Sequence, residues 1–517
     1  MHPPVPLRGA DKGVDDGGVK DETVVPVCEP GAELSWYTCG PTVYAPAHLG
    51  HGWTYVHVDL MQRMLGSLFG VRITSVRNVT DIDDKIIARA AELDIGHAEL
   101  AADMEASFNR DMAGLGVAPP HAAPRVTDAM PTIVAFIADL VARGAAYVDH
   151  SSGSVYFDTE TYGDAYPAAM FKASAGLSGC RHGIGGGGDD DGDSDSAQAP
   201  GKRAPADFAL WKGDASPAAV AWPAPWGPGR PGWHIECSAM ATAQFGATLD
   251  VHAGGIDLKF PHHTNEIAQC LAWLDAPRDK PTSWARLFAH ISHLHIDGAK
   301  MSKSLKNFIT VSDVLENGAG SGDHFRLFAA LHPRSAPCAM TADVAAVFAE
   351  ARAIEAQLLA TLAPSAAASH AVDVTHVDAA LDELRTAWAH LAAPSLDART
   401  LVDDARNRVA SIDPTGPSAE GIALVSALDA LGFRWQATVQ GALDDCVRAE
   451  LVHAMAVRRE LRSALVAKSA DSVTGAVGAT AASLLGMAPP ASIGAGWALC
   501  DALRDDIQAK HPLALRC

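Results

Sequence analysis

The first pattern along the chain is a change of hydrophobic period. LSWYTCG (34–40) is a short, apolar, β-prone run closed by a Gly-Pro breaker. YVHVDLMQRMLGSLFG (55–70) then sets Val56, Leu60, Met64, Leu65 and Leu68 at helical spacing. VRITSVRNVT (71–80) returns to β-branched residues and reads as the next strand. Strand, loop, helix and strand in so short a stretch predict a βαβ unit, hence a parallel sheet with a right-handed crossover.

Beyond it, residues 111–229 mix helical stretches with strand-like pieces such as SVYFDT (154–159). The Gly/Asp/Ser tract at 183–205 predicts a disordered acidic loop inside that region. A β signal returns in ATLDVHAGG (247–255), followed by the helical HHTNEIAQCLAWL (262–274). From 336 onward the chain is Ala/Leu-rich with helical periodicity, and residues 1–30, rich in Pro, Gly and Asp, read as a flexible leader. The pattern therefore predicts an interrupted α/β domain joined to an α-helical one.

Composition narrows the class. With 517 residues, 48% hydrophobic and 20% charged, the chain is expected to fold as a soluble protein of several domains. No apolar run approaches the roughly 18 residues that span a bilayer, and no signal-peptide or transit-like segment is expected, so the expected location is cytoplasmic. Nine dispersed cysteines predict reduced, mostly buried thiols, not a disulfide framework. Forty Lys and Arg against 61 Asp and Glu give a net charge of −21. That argues against general affinity for nucleic acid, so an RNA partner would have to meet a local basic face.

Two stretches carry phosphate chemistry. PTVYAPAHLGHG (41–52) lies between the first strand and its helix, where parallel sheets bind ligands beside helix N-termini. There Gly50 allows close backbone approach, and His48 and His51 supply imidazole donors. GAKMSKSLKNF (298–308) is a loop that offers Lys300, Lys303 and Lys306 with serine hydroxyls. Each alone is a common surface feature. Together, His48-Leu49-Gly50-His51 and Lys300-Met301-Ser302-Lys303-Ser304 resemble the two signatures of class I aminoacyl-tRNA synthetases. That resemblance implies an α/β fold: a split Rossmann-like parallel-sheet catalytic domain with a connective insertion, followed by an α-helical C-terminal domain. The implied limits are 31–110 and 230–290 for the two catalytic halves, 111–229 for the insertion, 291–335 for the lysine loop region and 336–517 for a helical tRNA-binding domain.

A metal is suggested more weakly. His262 and Glu266, four apart at the start of a predicted helix, share one face, as two ligands of one ion would. Cys39 ends the first strand and Cys237 follows a Gly-rich turn; spacing alone leaves these four as core residues or ligands. Tyr37-Thr38-Cys39-Gly40-Pro41-Thr42-Val43-Tyr44, Asn78 to Lys85 (NVTDIDDK), Pro231 to Ser238 (PGWHIECS), DFALWK (207–212) and Phe260-Pro261-His262-His263 resemble the cysteinyl-tRNA synthetase family, in order, across 34–315.

The resemblance implies one Zn2+ per chain on Cys39, Cys237, His262 and Glu266, and Mg2+ accompanying ATP. It places Gly40, Thr42, Thr80, Asp83 and Trp233 around the cysteine. Gly255 and Asp257 are implied for the adenosine, with His48, Gly50, His51 and Lys303, and His48, His51, Lys300 and Lys303 for catalysis. The implied partners are ATP, L-cysteine and tRNA(Cys), with no membrane. A ligase joining activated cysteine to an amino sugar would share these features, as would a non-enzymatic paralogue. The 180 or so helical residues after the lysine loop and the intact histidines, lysines and ligands favour the synthetase.

Three departures from the family stand out. Trp53 occupies a position where an arginine is expected, which puts the start of that helix and a nucleotide or tRNA contact in question. Thr264 replaces an acidic residue between His262 and Glu266, and the segment after LCDALRDDI (499–507) is short. Arg448, Arg458, Arg459, Arg462 and Lys468 share one amphipathic stretch that suits tRNA as well as a solvated helix face.

Overall fold

The computed structural model describes residues 31–161, 201–216, 220–277, 284–300, 308–316, 321–367, 374–392, 396–412 and 418–433. It also describes two short strands, Pro6–Leu7 and Val25–Pro26, which pair antiparallel within the expected leader. The acidic tract at 183–200, Lys303 and Lys306, the basic stretch at 448–468 and the final segment lie outside the described residues.

The predicted βαβ unit is present. β1 (Glu33–Thr38) and β2 (Arg72–Arg77) run parallel, Trp36 opposite Ser75 and Thr38 opposite Arg77, with α1 (Leu49–Phe69) between them in the chain. Val56, Leu60, Met64, Leu65 and Leu68 are all buried, so the helical spacing marked the core-facing stripe. α1 begins at Leu49, ahead of that stripe, because the cap lies in the histidine motif; Gly70 closes it at φ 67°. α2 (Asp84–Leu93), α3 (His97–Gly114) and α4 (Val126–Ala142) follow.

The interruption is a small sheet of its own. β3 (Ala146–Asp149), β4 (Ser154–Phe157), β5 (Phe208–Gly213) and β6 (Gly229–Pro231) pair antiparallel in chain order. Residues 201–205, expected to be disordered with the acidic tract, belong to the folded part. Ala204 is buried, and the Arg203 guanidinium lies 3.9 Å from the centroid of the Tyr147 ring. Lys212 and Arg230 both reach Asp84, at 3.2 Å and 2.9 Å, which ties this sheet to the start of α2.

α5 (Trp233–Phe245), β7 (Leu249–Gly255), α6 (His262–Leu274) and β8 (Ala285–Ile291) complete the main sheet. Its order is β8-β7-β1-β2, every pair parallel, with Thr38 opposite Ala253. From the β1–β7 pair the chain proceeds outward in both directions. That makes it the switch point whose carboxyl-end crevice holds ligands in doubly wound sheets.

β9 (Leu294–Ile296) and β10 (Ala299–Lys300) lead toward the lysine loop. α7 (Val311–Glu316), α8 (Gly322–Ala330), β11 (Cys338–Met340) and α9 (Val344–Val347) come after it. β11 pairs parallel with β9, so a strand falls in the stretch read as helical from 336. A three-residue strand buried at both ends has too few positions to show a period. The first compact unit runs to Glu350 and takes in 392–399; the second comprises 351–391 and the residues from 400 onward. Its described parts are helical: α10 (Ala349–Ala367), α11 (Val374–Ala392), α12 (Ala398–Val409) and α13 (Ala419–Ala430). Among the described residues, no helix is long and apolar enough to cross a membrane.

One buried ion pair joins α1 to α8. Arg326, fully buried, donates to Asp59 and to Gly116 O, while Asp59 also accepts from Arg63 Nε at 2.8 Å and Ala118 N at 2.9 Å. Removing one partner of such a pair strands the other charge. Arg326→Met is therefore expected to cost about 3–5 kcal/mol, read as a lower denaturant midpoint. An unchanged midpoint would mean that the pair contributes nothing net.

Candidate metal and nucleotide site

At the carboxyl end of β1 the chain turns sharply. Cys39 N donates to Ala253 O of β7 at 3.0 Å, and Gly40 N to Asn78 Oδ1 at 2.8 Å. Tyr55 of α1 donates its hydroxyl to Cys39 O at 3.0 Å. A Cβ on Gly40 would stand 1.5 Å from Asn78 O, a backbone atom that cannot swing away. Gly40→Ala must therefore push the strand end off the 78–80 turn, at a cost of about 3 kcal/mol or more. We expect a lower thermal midpoint together with lost metal binding; a variant as stable as the parent would contradict this account of the turn.

Cys39 and Cys237, which lies in the first turns of α5, bring their sulfurs to 3.7 Å. Phe260-Pro261 is a cis bond directly ahead of α6, where His262 and Glu266 sit one turn apart. Cys39, Cys237, His262 and Glu266 are all buried, with one donor atom from each lying within 4.8 Å of the others. Burial pushes the Cys39 thiol well above its ordinary value and holds the His262 imidazole well below its own. The hydrogen bond with Cys39 pulls the Cys237 thiol down, but burial and the Glu266 charge leave it raised. Left to themselves, the two thiols and the imidazole are uncharged; a divalent cation reverses the preference by drawing out the thiol protons.

A second four-residue set, Cys39, His252, His263 and Glu266, satisfies the same distance test. Its imidazoles already bond to other members of the set, and His252 Nδ1 is buried without a hydrogen bond. His252 Nε2 holds Glu266 Oε2 at 2.9 Å, and His263 spans Cys39 Sγ at 3.4 Å and His290 Nε2 at 2.8 Å. His262 differs. Its Nδ1 meets His234 Nδ1 at 3.0 Å, while Nε2, 3.2 Å from Glu266 Oε1, is buried without a hydrogen bond. An unsatisfied nitrogen aimed among two thiols and a carboxylate is the donor a soft ion takes, so Cys39, Cys237, His262 and Glu266 fit zinc. With a metal held there, His234 and His252 would serve as outer partners that fix the ring and the carboxylate. Sequence reading missed His234, His252, His263 and His290; the density of histidine in WHIECS and FPHH was the available signal.

The histidine motif forms the start of α1. His48 Nδ1 accepts from Gly50 N at 3.1 Å and His51 N at 3.4 Å, while His51 Nδ1 accepts from His48 N at 3.3 Å. The rings stack at 3.8 Å. With both Nδ1 atoms accepting, each ring proton resides on Nε2. The far end of the lysine loop is stitched to the same place: Leu49 N bonds Ile309 O and Val311 N bonds Ala47 O, each at 2.9 Å. Lys300 sits in β10, paired with His295.

The remaining predicted residues divide. Val43 N bonds Thr80 O and Thr80 N bonds Pro41 O, both at 3.1 Å, which brings Gly40, Thr42 and Thr80 into one turn. Thr80 Oγ1 donates to Glu236 Oε2 at 2.9 Å, a buried carboxyl that the sequence did not single out; burial, then the charge of Asp83, pushes it well above the usual range. Asp83 caps α2 by accepting from Lys85 N at 2.8 Å. The Trp233 ring lies 4.3 Å, centroid to centroid, from the His262 ring. Gly255 ends β7, where a Cβ would come 2.5 Å from Asp257 Oδ1. Trp53 is fully buried and donates to Ser292 O at 2.9 Å, so the start of α1 is intact without an arginine. Thr264 bonds Lys259 O at 2.8 Å and faces no ligand.

The switch point of the parallel sheet thus carries an imidazole-capped helix and a buried thiol–imidazole–carboxylate set. The chain belongs to the family described as "tRNA synthetases class I (C) catalytic domain", whose profile matches residues 26–333. It is 44% identical over 302 residues to the cytoplasmic cysteine–tRNA ligase of Dictyostelium discoideum, covering 58% of this chain and 44% of that protein. It is 45% identical over 304 residues to the cysteine–tRNA ligase of Symbiobacterium thermophilum, covering 58% and 59%. The chain thus spans about half the length of the curated relatives it matches. Its fold is similar to that of Mycobacterium tuberculosis methionyl-tRNA synthetase bound by methionyl-adenylate, with TM-score 0.52 and 17% identity over 79% of this chain and 91% of that one. The LeuRS of Agrobacterium radiobacter K84 agnB2 gives the same TM-score at 11% identity, covering 80% and 86%.

Proposed function

We propose that this chain is a cysteine–tRNA ligase that activates L-cysteine with Mg-ATP as cysteinyl-adenylate and passes it to the 3′ end of tRNA(Cys). The observation that carries this reading is the orphaned His262 Nε2 facing Cys39, Cys237 and Glu266 at the sheet's switch point. The names of the related proteins support the substrate. Zinc held by Cys39, Cys237, His262 and Glu266 would supply a soft Lewis acid that prefers a thiolate to a hydroxyl. Shape exclusion alone offers only about 1–3 kcal/mol against serine.

The chain's own groups do the rest. Gly40, Thr42, Thr80, Asp83 and Trp233 surround the amino acid beside the ligands, and Gly255 and Asp257 meet the adenosine. His48 and His51 donate from Nε2 to phosphate oxygens, with Gly50 allowing close approach. Lys300 and Lys303 add charge where negative charge grows in the transition state. The region from 336, with its basic stretch at 448–468, takes the tRNA. One related protein is named cytoplasmic, and the cytoplasm is the compartment we propose.

The test is cysteine-dependent exchange of pyrophosphate into ATP, followed by transfer to tRNA(Cys). Absence of exchange would overturn the reading; exchange with transfer only to an amino sugar would replace the acceptor.

A further inference from the structure

The β1–β2 ladder ends at the Thr38–Arg77 pair, which leaves the Cys39 peptide one residue beyond it. A backbone carbonyl buried there needs a donor from elsewhere. Cys39 N goes to β7, on Ala253 O at 3.0 Å, and Cys39 O accepts the Tyr55 hydroxyl of α1, also at 3.0 Å. Tyr55 lies one helical turn after His51, on the same face of α1, and His48 caps that helix. The hydroxyl therefore ties the helix that carries the two histidines to the strand end that carries Cys39 and Gly40.

The ring bearing this hydroxyl is held in its turn. Phe108 of α3 meets it edge-on, with centroids 5.3 Å apart and planes at 82°. The Arg77 guanidinium sits over both rings, 5.2 Å from the Tyr55 centroid and 4.9 Å from that of Phe108. Arg77 is buried, its Nε carries no hydrogen bond, and its backbone N is pinned to Ala122 O at 3.1 Å. A buried cation shared between two rings fixes the plane of each.

We propose that Tyr55 is a positioning residue for cysteine activation: its hydroxyl on Cys39 O sets the histidine end of α1 against the carboxyl end of β1, and Arg77 holds its ring. The inference rests on the activation reading above and adds the device that aligns its two substrates. The amino acid is held at the end of β1 and the phosphates at the start of α1. A slip between those two elements moves the attacking carboxylate off the α-phosphate, and a misplacement of about 1 Å can cost about 10²-fold in rate.

The experiment compares the zinc-loaded full chain with Tyr55→Phe, which keeps the ring and its contacts with Phe108 and Arg77. In cysteine-dependent pyrophosphate exchange, kcat should fall about 10–100-fold while the KM for ATP and the zinc content stay parental. A merely structural hydroxyl would lower the denaturant midpoint and leave kcat alone, and that result overturns the inference. Loss of zinc from Tyr55→Phe would overturn it too, by placing the effect on the metal and not on alignment. Arg77→Met should lower kcat in the parent and add little in the Tyr55→Phe background, because it acts through the same hydroxyl. Fully additive losses would remove Arg77 from the proposal. A parent protein without exchange would overturn the activation reading, and this inference with it.

Discussion

Replacing His262 by alanine is expected to empty the metal site and to abolish cysteine activation while leaving the fold in place. Loss of an outer partner of a zinc site typically costs about 10–100-fold in affinity or activity, and loss of a direct ligand should exceed that. Bound zinc measured on purified protein, together with cysteine-dependent pyrophosphate exchange, reads both effects. Cys237→Ser should behave alike, since a serine hydroxyl is a poor match for a soft ion. The outcome also separates the two four-residue sets. If Cys39, His252, His263 and Glu266 were the ligands, His262→Ala would keep its metal and His263→Ala would lose it. Full zinc content in His262→Ala would sink the assignment made here.

The second large effect concerns His48, which has two jobs that different substitutions can separate. Through Nδ1 it caps α1, and the proposed role of Nε2 is that of a donor to phosphate. Asparagine is among the best cap residues, so His48→Asn should hold the helix start while removing the imidazole donor. We expect near-parental stability with kcat for exchange reduced about 10²–10³-fold, the usual effect of deleting one donor to a developing oxyanion. His48→Ala should show the same kinetic loss and a further loss of about 1 kcal/mol in stability. If His48→Asn retained full kcat, the donor role would be wrong and only the cap would remain.

Local sequence was most informative where one physical signal dominated. The helical stripe from Val56 to Leu68 is the buried face of α1, because an amphipathic helix has no other way to bury its apolar side. The β-branched run at 71–80 became β2 for the same kind of reason. The His262–Glu266 pair was legible as a shared helix face. Other features gave no such signal. β11 is a three-residue strand, too short for a period to register. Trp53 looked like the loss of a charged contact, yet it is an internal tie to Ser292, since indole burial outweighs anything a helix start would ask of that position. Residues 201–205 adjoin the acidic tract and were grouped with it, although they carry no acidic residue, Arg203 packs on Tyr147 and Ala204 is buried.

The sequence by itself determined the chemistry on offer: two histidines at a helix start, lysines in a loop, two thiols, and an imidazole and carboxylate one turn apart. Those rest on residue type and short spacing, which the chain carries without folding. Only the tertiary structure decided which donors meet. Cys39 and Cys237 are 198 positions apart, and they come together because β1 pairs with β7 while α5 and α6 cross beside that pair. It also left His262 Nε2 buried without a hydrogen bond in the set that holds both thiols. Hydrogen-bond commitment is a property of a packed site, and no local pattern encodes it.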